Sequence, residues 1–78
     1  MKFNYSKLKG RIIEKFGKQE NFAKAFGIST ATLSNKLNNK TYWDNPEIAK
    51  VVELLEISPD EINDYFFNYE VQELELNN

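Results

Sequence analysis

Apolar residues recur at helical spacing along most of the chain, and short polar or glycine-containing segments separate the apolar stripes. Leu8, Ile12 and Phe16 form the first stripe, and Gly17 follows it. An apolar stripe followed by glycine is typical of a helix that ends in a left-handed residue. The spacing therefore predicts a first helix over 7–16.

Two later helices begin at recognisable start signals. Asn, Pro and Glu at 45–47 supply a capping residue, a proline for the first position and an acid for the first turn of a fourth helix. Ser, Pro, Asp and Glu at 58–61 match a capping box, which predicts a fifth helix through about Phe66. The fourth helix would turn four apolar side chains inward: Ile48, Val51, Val52 and Leu55.

Residues 19–37 contain two short apolar stripes joined by a glycine turn. Gly27 stands where a helix end favours a left-handed residue, and Ser29 can cap the helix that follows. Ala23 is small enough to let two helices cross closely. The second helix, over 30–37, opens with small and polar residues that would make a poor core face. This pattern is typical of a helix-turn-helix, which lays its second helix in the DNA major groove.

Two interpretations stay open for the tail. Phe67, Tyr69 and Val71 alternate as in a strand, whereas Phe67, Val71 and Leu74 also have helical spacing. We favour an extended tail, which would need a partner strand such as the same tail of a second copy. In the alternative, the tail lies on its own core. The predicted interface consists of Tyr65, Phe67, Tyr69 and Val71.

Length and composition limit the classes of protein that fit. The 78 residues suffice for one domain, and 41% hydrophobic residues suffice for a small core. We therefore expect an all-α domain of five helices over 1–66, followed by a tail over 67–78. The sequence has no histidine, no cysteine and no glycine-rich phosphate loop, so it favours neither an enzyme nor a cofactor or metal site. No apolar run reaches the ~20 residues of a membrane span.

Charge is divided unevenly along the chain. Residues 1–40 hold nine basic and two acidic side chains, a net charge of +7, whereas residues 41–78 hold one basic and ten acidic side chains, a net charge of −9. The basic excess coincides with the helix-turn-helix pattern, which favours a DNA-binding face. The alternative is a basic half that pairs with the acidic half inside the fold.

The order of helices and the segment 19–37 resemble the Cro/CI-type helix-turn-helix regulators of bacteriophages and bacteria, the lambda-repressor-like (XRE) superfamily. Lys-Leu-Lys-Gly at 7–10, Leu-Ser-Asn-Lys-Leu-Asn-Asn-Lys at 33–40 and Asp-Tyr-Phe-Phe at 64–67 look most like small Cro-like proteins of Gram-positive phages. The resemblance covers 6–66. It implies a five-helix lambda-repressor-like DNA-binding domain.

The resemblance also implies which residues read DNA bases. Thr30, Ala31, Ser34 and Asn35 occupy the positions that face the groove. The amide of Asn35 suits bidentate pairing with adenine, and Ala31 could touch a thymine methyl group.

Phosphate contacts are predicted on both sides of that helix. By the resemblance, Gln19 anchors the first motif helix to a phosphate, and Asn38 and Lys40 meet the backbone after the second. Lys18 and Lys36 are further phosphate candidates by their charge.

Two positions depart from the family pattern. Lys36 stands where the family usually has an apolar residue, and Leu37 follows it where a polar residue is usual. Asn39 stands where the family has glycine, and asparagine can also adopt the left-handed conformation.

The leading interpretation is a small phage or prophage transcriptional regulator in the cytoplasm of a bacterial host. It would bind a double-stranded DNA operator as a homodimer in a lysis–lysogeny switch. The alternative is an antirepressor or modulator that binds a CI-type repressor by protein–protein contact, with the acidic second half complementary to a basic partner.

Overall fold

The computed structural model describes residues 2–70, which form five α-helices and one short 3₁₀ turn. The helices are α1 (Ser6–Phe16), α2 (Gln19–Phe26), α3 (Thr30–Leu37), α4 (Asn45–Leu55) and α5 (Ile62–Phe66), with the 3₁₀ turn over Pro59–Glu61. The predicted all-α class with five helices is confirmed. In the described part of the chain, an isolated antiparallel bridge between Phe3 and Tyr69 is the sole β pairing. No helix there is long and apolar enough to cross a membrane.

One core joins all five helices. Its fully buried side chains come from every long helix and from α5: Leu8, Ile12, Phe22, Leu33, Val51, Leu55 and Phe66. Aromatic rings connect the two ends of this core. The Trp43 ring lies 5.9 Å from that of Phe26 and 5.8 Å from that of Phe66, both edge to face. Edge-to-face aromatic pairs add to the stabilisation that burial alone provides.

Local signals explain why α2 and α3 lie where the sequence predicts two helices. Gly27 has a φ of 97°, which an L side chain rarely adopts, and its N–H donates to the Ala23 carbonyl at 2.8 Å. Ser29 caps α3 because its hydroxyl accepts from the Thr32 N–H at 3.1 Å. The turn between α2 and α3 therefore depends on contacts within a few residues of sequence.

The starts of the last two helices differ from the prediction. Asp44, not Asn45, caps α4 and forms a reciprocal capping box with Glu47. The predicted capping box at 58–61 is wrong: the Ser58 hydroxyl hydrogen-bonds to the carboxylates of Asp60 and Glu61 instead of accepting from a backbone N–H. That segment winds as a 3₁₀ turn, and α5 begins only at Ile62.

Ala23 is 1% exposed in the middle of α2, whereas Ala25 on the same helix is exposed. We expect Ala23→Leu to lower the free energy of unfolding by about 1–3 kcal/mol, since it overpacks the core. Ala25→Leu is the matched control and should leave stability nearly unchanged. Thermal unfolding followed by circular dichroism tests this. Equal melting temperatures for the two variants would show that Ala23 is not at a close helix contact.

Candidate functional site

The predicted groove-facing side of α3 is largely exposed and carries no charge. Thr30, Ala31 and Asn35 are exposed. Ser34 is half-buried, and its hydroxyl accepts from the Asn38 side-chain amide at 3.1 Å. The structure thus brings the four residues predicted to contact bases onto one helix, with three of them available to a partner. Their role in base reading stays a prediction.

Lys36 does not lie on that surface, so its predicted phosphate contact is wrong. The residue is 7% exposed. Its Nζ donates to the Glu47 carboxylate at 2.9 Å and to the Tyr42 carbonyl at 3.0 Å, and lies 5.4 Å from the centre of the Trp43 ring. α3 turns this position toward the start of α4, where the ammonium is neutralised.

The Glu47 carboxylate accepts two hydrogen bonds at the junction of α3 and α4. It accepts from the Asp44 N–H at 2.9 Å as part of the capping box and also from Lys36. Burial would raise the pKa of Glu47, but the hydrogen bond from Asp44 and the charge of Lys36 together hold that pKa below its ordinary value. The carboxylate is therefore ionised in the folded protein at neutral pH.

Other predicted phosphate-contacting residues remain on the surface around α3. Lys18, immediately before α2, is exposed, as is Lys40 after α3. Gln19 is half-buried at the first position of α2. Asn38 is exposed, but its side-chain amide donates to Ser34. These four positions are compatible with contacts to a partner.

The basic and acidic halves neutralise each other in part. Within residues 2–70, four of the nine basic side chains before residue 41 form ion pairs with carboxylates. The pairs are Lys7–Asp64 at 3.6 Å, Arg11–Glu14 at 2.7 Å, Lys36–Glu47 at 2.9 Å, and Lys15–Glu56. Three of them join the first half to the second. The predicted basic face is thus smaller than the charge of residues 1–40 indicates.

The N-terminal segment lies against the start of the tail and against the loop after α3. Asn39 has a φ of 65°, the left-handed conformation that the sequence allowed. Its side-chain amide accepts from the Phe3 N–H and donates to the Phe3 carbonyl, both at 2.9 Å. Sequence reasoning missed this bracing role, because the two residues are 36 positions apart.

The predicted aromatic interface is only partly exposed. Tyr65 is 7% exposed in the core, with the Lys7 ammonium 4.8 Å from its ring centre, so its assignment to the interface is wrong. It is buried because α5 packs on α1. Phe67 and Tyr69 are 44% and 50% exposed. Val71, the fourth residue, lies outside the described residues.

An apolar groove of about 220 Å³ lies next to these exposed rings. Seven residues line it: Phe3, Tyr5, Tyr42, Trp43, Ile48, Phe66 and Phe67. The indole N–H of Trp43 is buried and has no hydrogen-bond partner among residues 2–70. In the same part of the chain, no group of three or more His, Cys, Asp or Glu residues could hold a metal ion.

We expect Lys36→Ala to destabilise the fold. Removing the ammonium leaves the Glu47 carboxylate and the Tyr42 carbonyl without a donor, a loss of about 1–3 kcal/mol. The exposed Lys40 is the matched control, and Lys40→Ala should change the free energy of unfolding by at most about 0.5 kcal/mol. Urea unfolding measures both variants. Equal stabilities would contradict a structural role for Lys36.

Stability should also fall in acid through Glu47. Its pKa is lower in the folded chain than the ordinary 4.5, so the unfolded chain binds more protons between the two values. This contribution to stability is full above pH 4.5 and is lost as the pH falls through the folded-state pKa. Glu47→Gln should reduce the decline, whereas Glu53→Gln, at an exposed position of α4, should not. A decline that is the same in all three proteins would contradict this assignment.

The comparisons with known proteins match nearly the same residues that form the described fold. A family model described as "Protein of unknown function (DUF739)" matches residues 1–69. Among solved structures, the solution structure of the modulator of repression (MOR) of the temperate bacteriophage TP901-1 from Lactococcus lactis is similar to this chain, with 50% sequence identity and a TM-score of 0.77. The similarity covers 92% of this chain and 97% of that one. A search of curated proteins gave no match. Since the family model spans all but the last nine of the 78 residues, the chain belongs to the DUF739 family.

Proposed function

We propose that this protein is a modulator of phage repression that acts by binding a CI-type repressor protein. The observation that carries the proposal is the 50% identity, over 92% of the chain, to the modulator of repression of phage TP901-1. This proposal is the alternative that the sequence left open, a modulator that binds a CI-type repressor by protein–protein contact, and the similarity favours it.

The α3 surface supports a protein partner over DNA alone. Duplex binding draws much of its affinity from cationic side chains on phosphates. α3 contains one cationic residue, Lys36, and that side chain is buried against Glu47. What α3 presents outward is the uncharged surface of Thr30, Ala31 and Asn35. The exposed side of α3 therefore lacks the cationic side chains that would contact phosphates, which weakens the case for DNA as the partner.

The acidic second half supplies a complementary surface for a basic partner. Three exposed carboxylates on or beside α4 and the 3₁₀ turn form no ion pair among residues 2–70: Asp44, Glu53 and Asp60. A DNA-binding repressor carries a basic surface of its own, because it must contact phosphates. Complementary charge speeds association and favours one partner over others. We therefore place the repressor-binding surface on the side of α4 and the 3₁₀ turn.

Direct operator binding is the second candidate function. It is favoured by one arrangement: a capped, exposed α3 with the exposed ammonium groups of Lys18 before α2 and Lys40 after α3. In this candidate, Asn35 reads a base and Lys40 contacts a phosphate. The two functions use different surfaces, so one set of variants separates them.

We expect the protein to form a complex with the CI-type repressor of its own phage that persists between ~50 and ~200 mM salt. Binding to duplex DNA through about six phosphates would weaken about a thousand-fold over that range. Isothermal titration against the repressor, and against fragments of the phage intergenic region, measures both. A salt-sensitive, sequence-specific affinity for DNA without any repressor binding would overturn the proposal in favour of the second candidate.

Charge variants identify the surface. Glu53→Lys should weaken repressor binding about tenfold or more, because like charges across an interface cost well over 1 kcal/mol. Glu20→Lys, at an exposed acid of α2, is the matched control.

If the protein instead binds an operator, Asn35→Ala should cost about 1–3 kcal/mol on the specific site, and Lys40→Ala should lower the salt slope by about 1.

A further inference from the structure

The N-terminal segment and the start of the tail form a two-stranded antiparallel ribbon. The Asn4 N–H donates to the Asn68 carbonyl at 2.6 Å, and the Glu70 N–H donates to the Lys2 carbonyl at 3.0 Å. These bonds flank the bridge between Phe3 and Tyr69, so Phe3 and Tyr69 form a non-hydrogen-bonded pair. In such a pair, the N–H and C=O groups of each residue point away from the other strand, toward the outer edges of the ribbon.

One edge of this ribbon is closed by a side chain. The backbone groups of Phe3 are both taken by the amide of Asn39, whose Oδ1 accepts and whose Nδ2 donates at 2.9 Å. The Asn39 amide thus takes the place that a third strand would occupy. Nothing further can pair with the ribbon on this edge.

The other edge, at Tyr69, is open. Neither the N–H nor the C=O of Tyr69 has a partner among residues 2–70. The rings of Phe67 and Tyr69 remain about half exposed beside it, with the Phe3 ring 5.1 Å from that of Tyr69 and 6.1 Å from that of Phe67. An open edge with apolar side chains is a template for another strand.

We propose that the Tyr69 edge pairs with the same edge of a second copy of this chain, antiparallel about a two-fold axis. The two Tyr69 residues would exchange both of their free hydrogen bonds, as a hydrogen-bonded antiparallel pair does. The result is a four-stranded sheet, closed at both ends by Asn39. A two-fold contact of this kind uses one surface patch twice, so it closes at a dimer.

Charge and register favour a second copy as the occupant. With the two Tyr69 residues opposite each other, Glu70 lies opposite the neutral Asn68 of the other copy, and no like charges meet across the strands. Within 68–70, only Tyr69 points its backbone N–H and C=O groups away from the ribbon. Placing the two Tyr69 residues opposite each other is therefore the register in which the free backbone groups of both copies are hydrogen-bonded. A net charge of −2 per chain adds little long-range repulsion. The proposal concerns self-association and does not depend on the proposed repressor.

Asn68 allows a charge test that leaves the monomer intact. Within one chain, Asn68 faces Asn4, so a new charge at 68 meets no charge in the monomer. In the dimer, Asn68→Glu would place two carboxylates opposite Glu70 residues, and Asn68→Lys would place two ammonium groups there. We expect the dimer dissociation constant to rise about 2- to 30-fold for Asn68→Glu and to fall by a similar factor for Asn68→Lys. Asn63→Glu and Asn63→Lys, at an exposed position of α5, are the matched controls.

Sedimentation equilibrium measures the mass, which should rise with concentration from 9.2 kDa toward twice that value. Amide hydrogen exchange provides a second measurement with an internal control. The Phe3 amide, held by Asn39, should be protected at every concentration, and the Tyr69 amide should become protected only as the dimer forms. A mass of 9.2 kDa at millimolar concentration would overturn the proposal. The proposal would also be overturned if Asn68→Glu and Asn68→Lys changed the dimer dissociation constant in the same direction. Protection of the Tyr69 amide that appears only when another protein is added would overturn it as well.

Discussion

The junction between α3, the loop after it and α4 depends on the contact between the Lys36 ammonium and the Glu47 carboxylate. Glu47 caps the first turn of α4 through the Asp44 N–H and at the same time neutralises Lys36, which also donates to the Tyr42 carbonyl. One ion pair thus joins the end of α3, the connecting loop and the start of α4. It also holds the loop where Trp43 can bridge the aromatic core. A buried ion pair contributes little net stability compared with apolar packing, but removing one partner leaves a costly unpaired charge.

That same contact decides what the surface offers. Because it removes the one cation of α3 from solvent, the exposed side of the helix is uncharged. The ion pairs of α1 with Glu56 and Asp64 further reduce the basic face. Basic side chains of the first half of the chain and acidic side chains of the second half thus form ion pairs in the folded protein. The carboxylates left exposed on the second half then become the distinctive electrostatic feature, which is why we favour a protein partner.

Asn39 links the end of α3 to the N-terminal segment. Its left-handed backbone ends the turn after α3, and its amide replaces a missing strand beside Phe3. With that edge closed, the backbone groups of the ribbon that remain available are those of Tyr69. The rings of Phe67 and Tyr69 remain exposed, and Phe67 also lines the apolar groove. Repressor binding and self-association would then occupy different parts of a small molecule.

The sequence by itself determined the features whose partners lie within a few residues. The helices follow from the apolar spacing, Gly27 and Asn39 adopt the left-handed conformation, and Ser29 caps α3, because each of these depends on local backbone geometry. Only the tertiary structure decided the roles of Lys36 and Tyr65. The direction of the Lys36 side chain depends on Glu47, 11 residues away, and the burial of Tyr65 depends on the packing of α5 on α1. The sequence shows that a charged or aromatic side chain is present, but residues distant along the chain decide whether that side chain points into the core or into solvent.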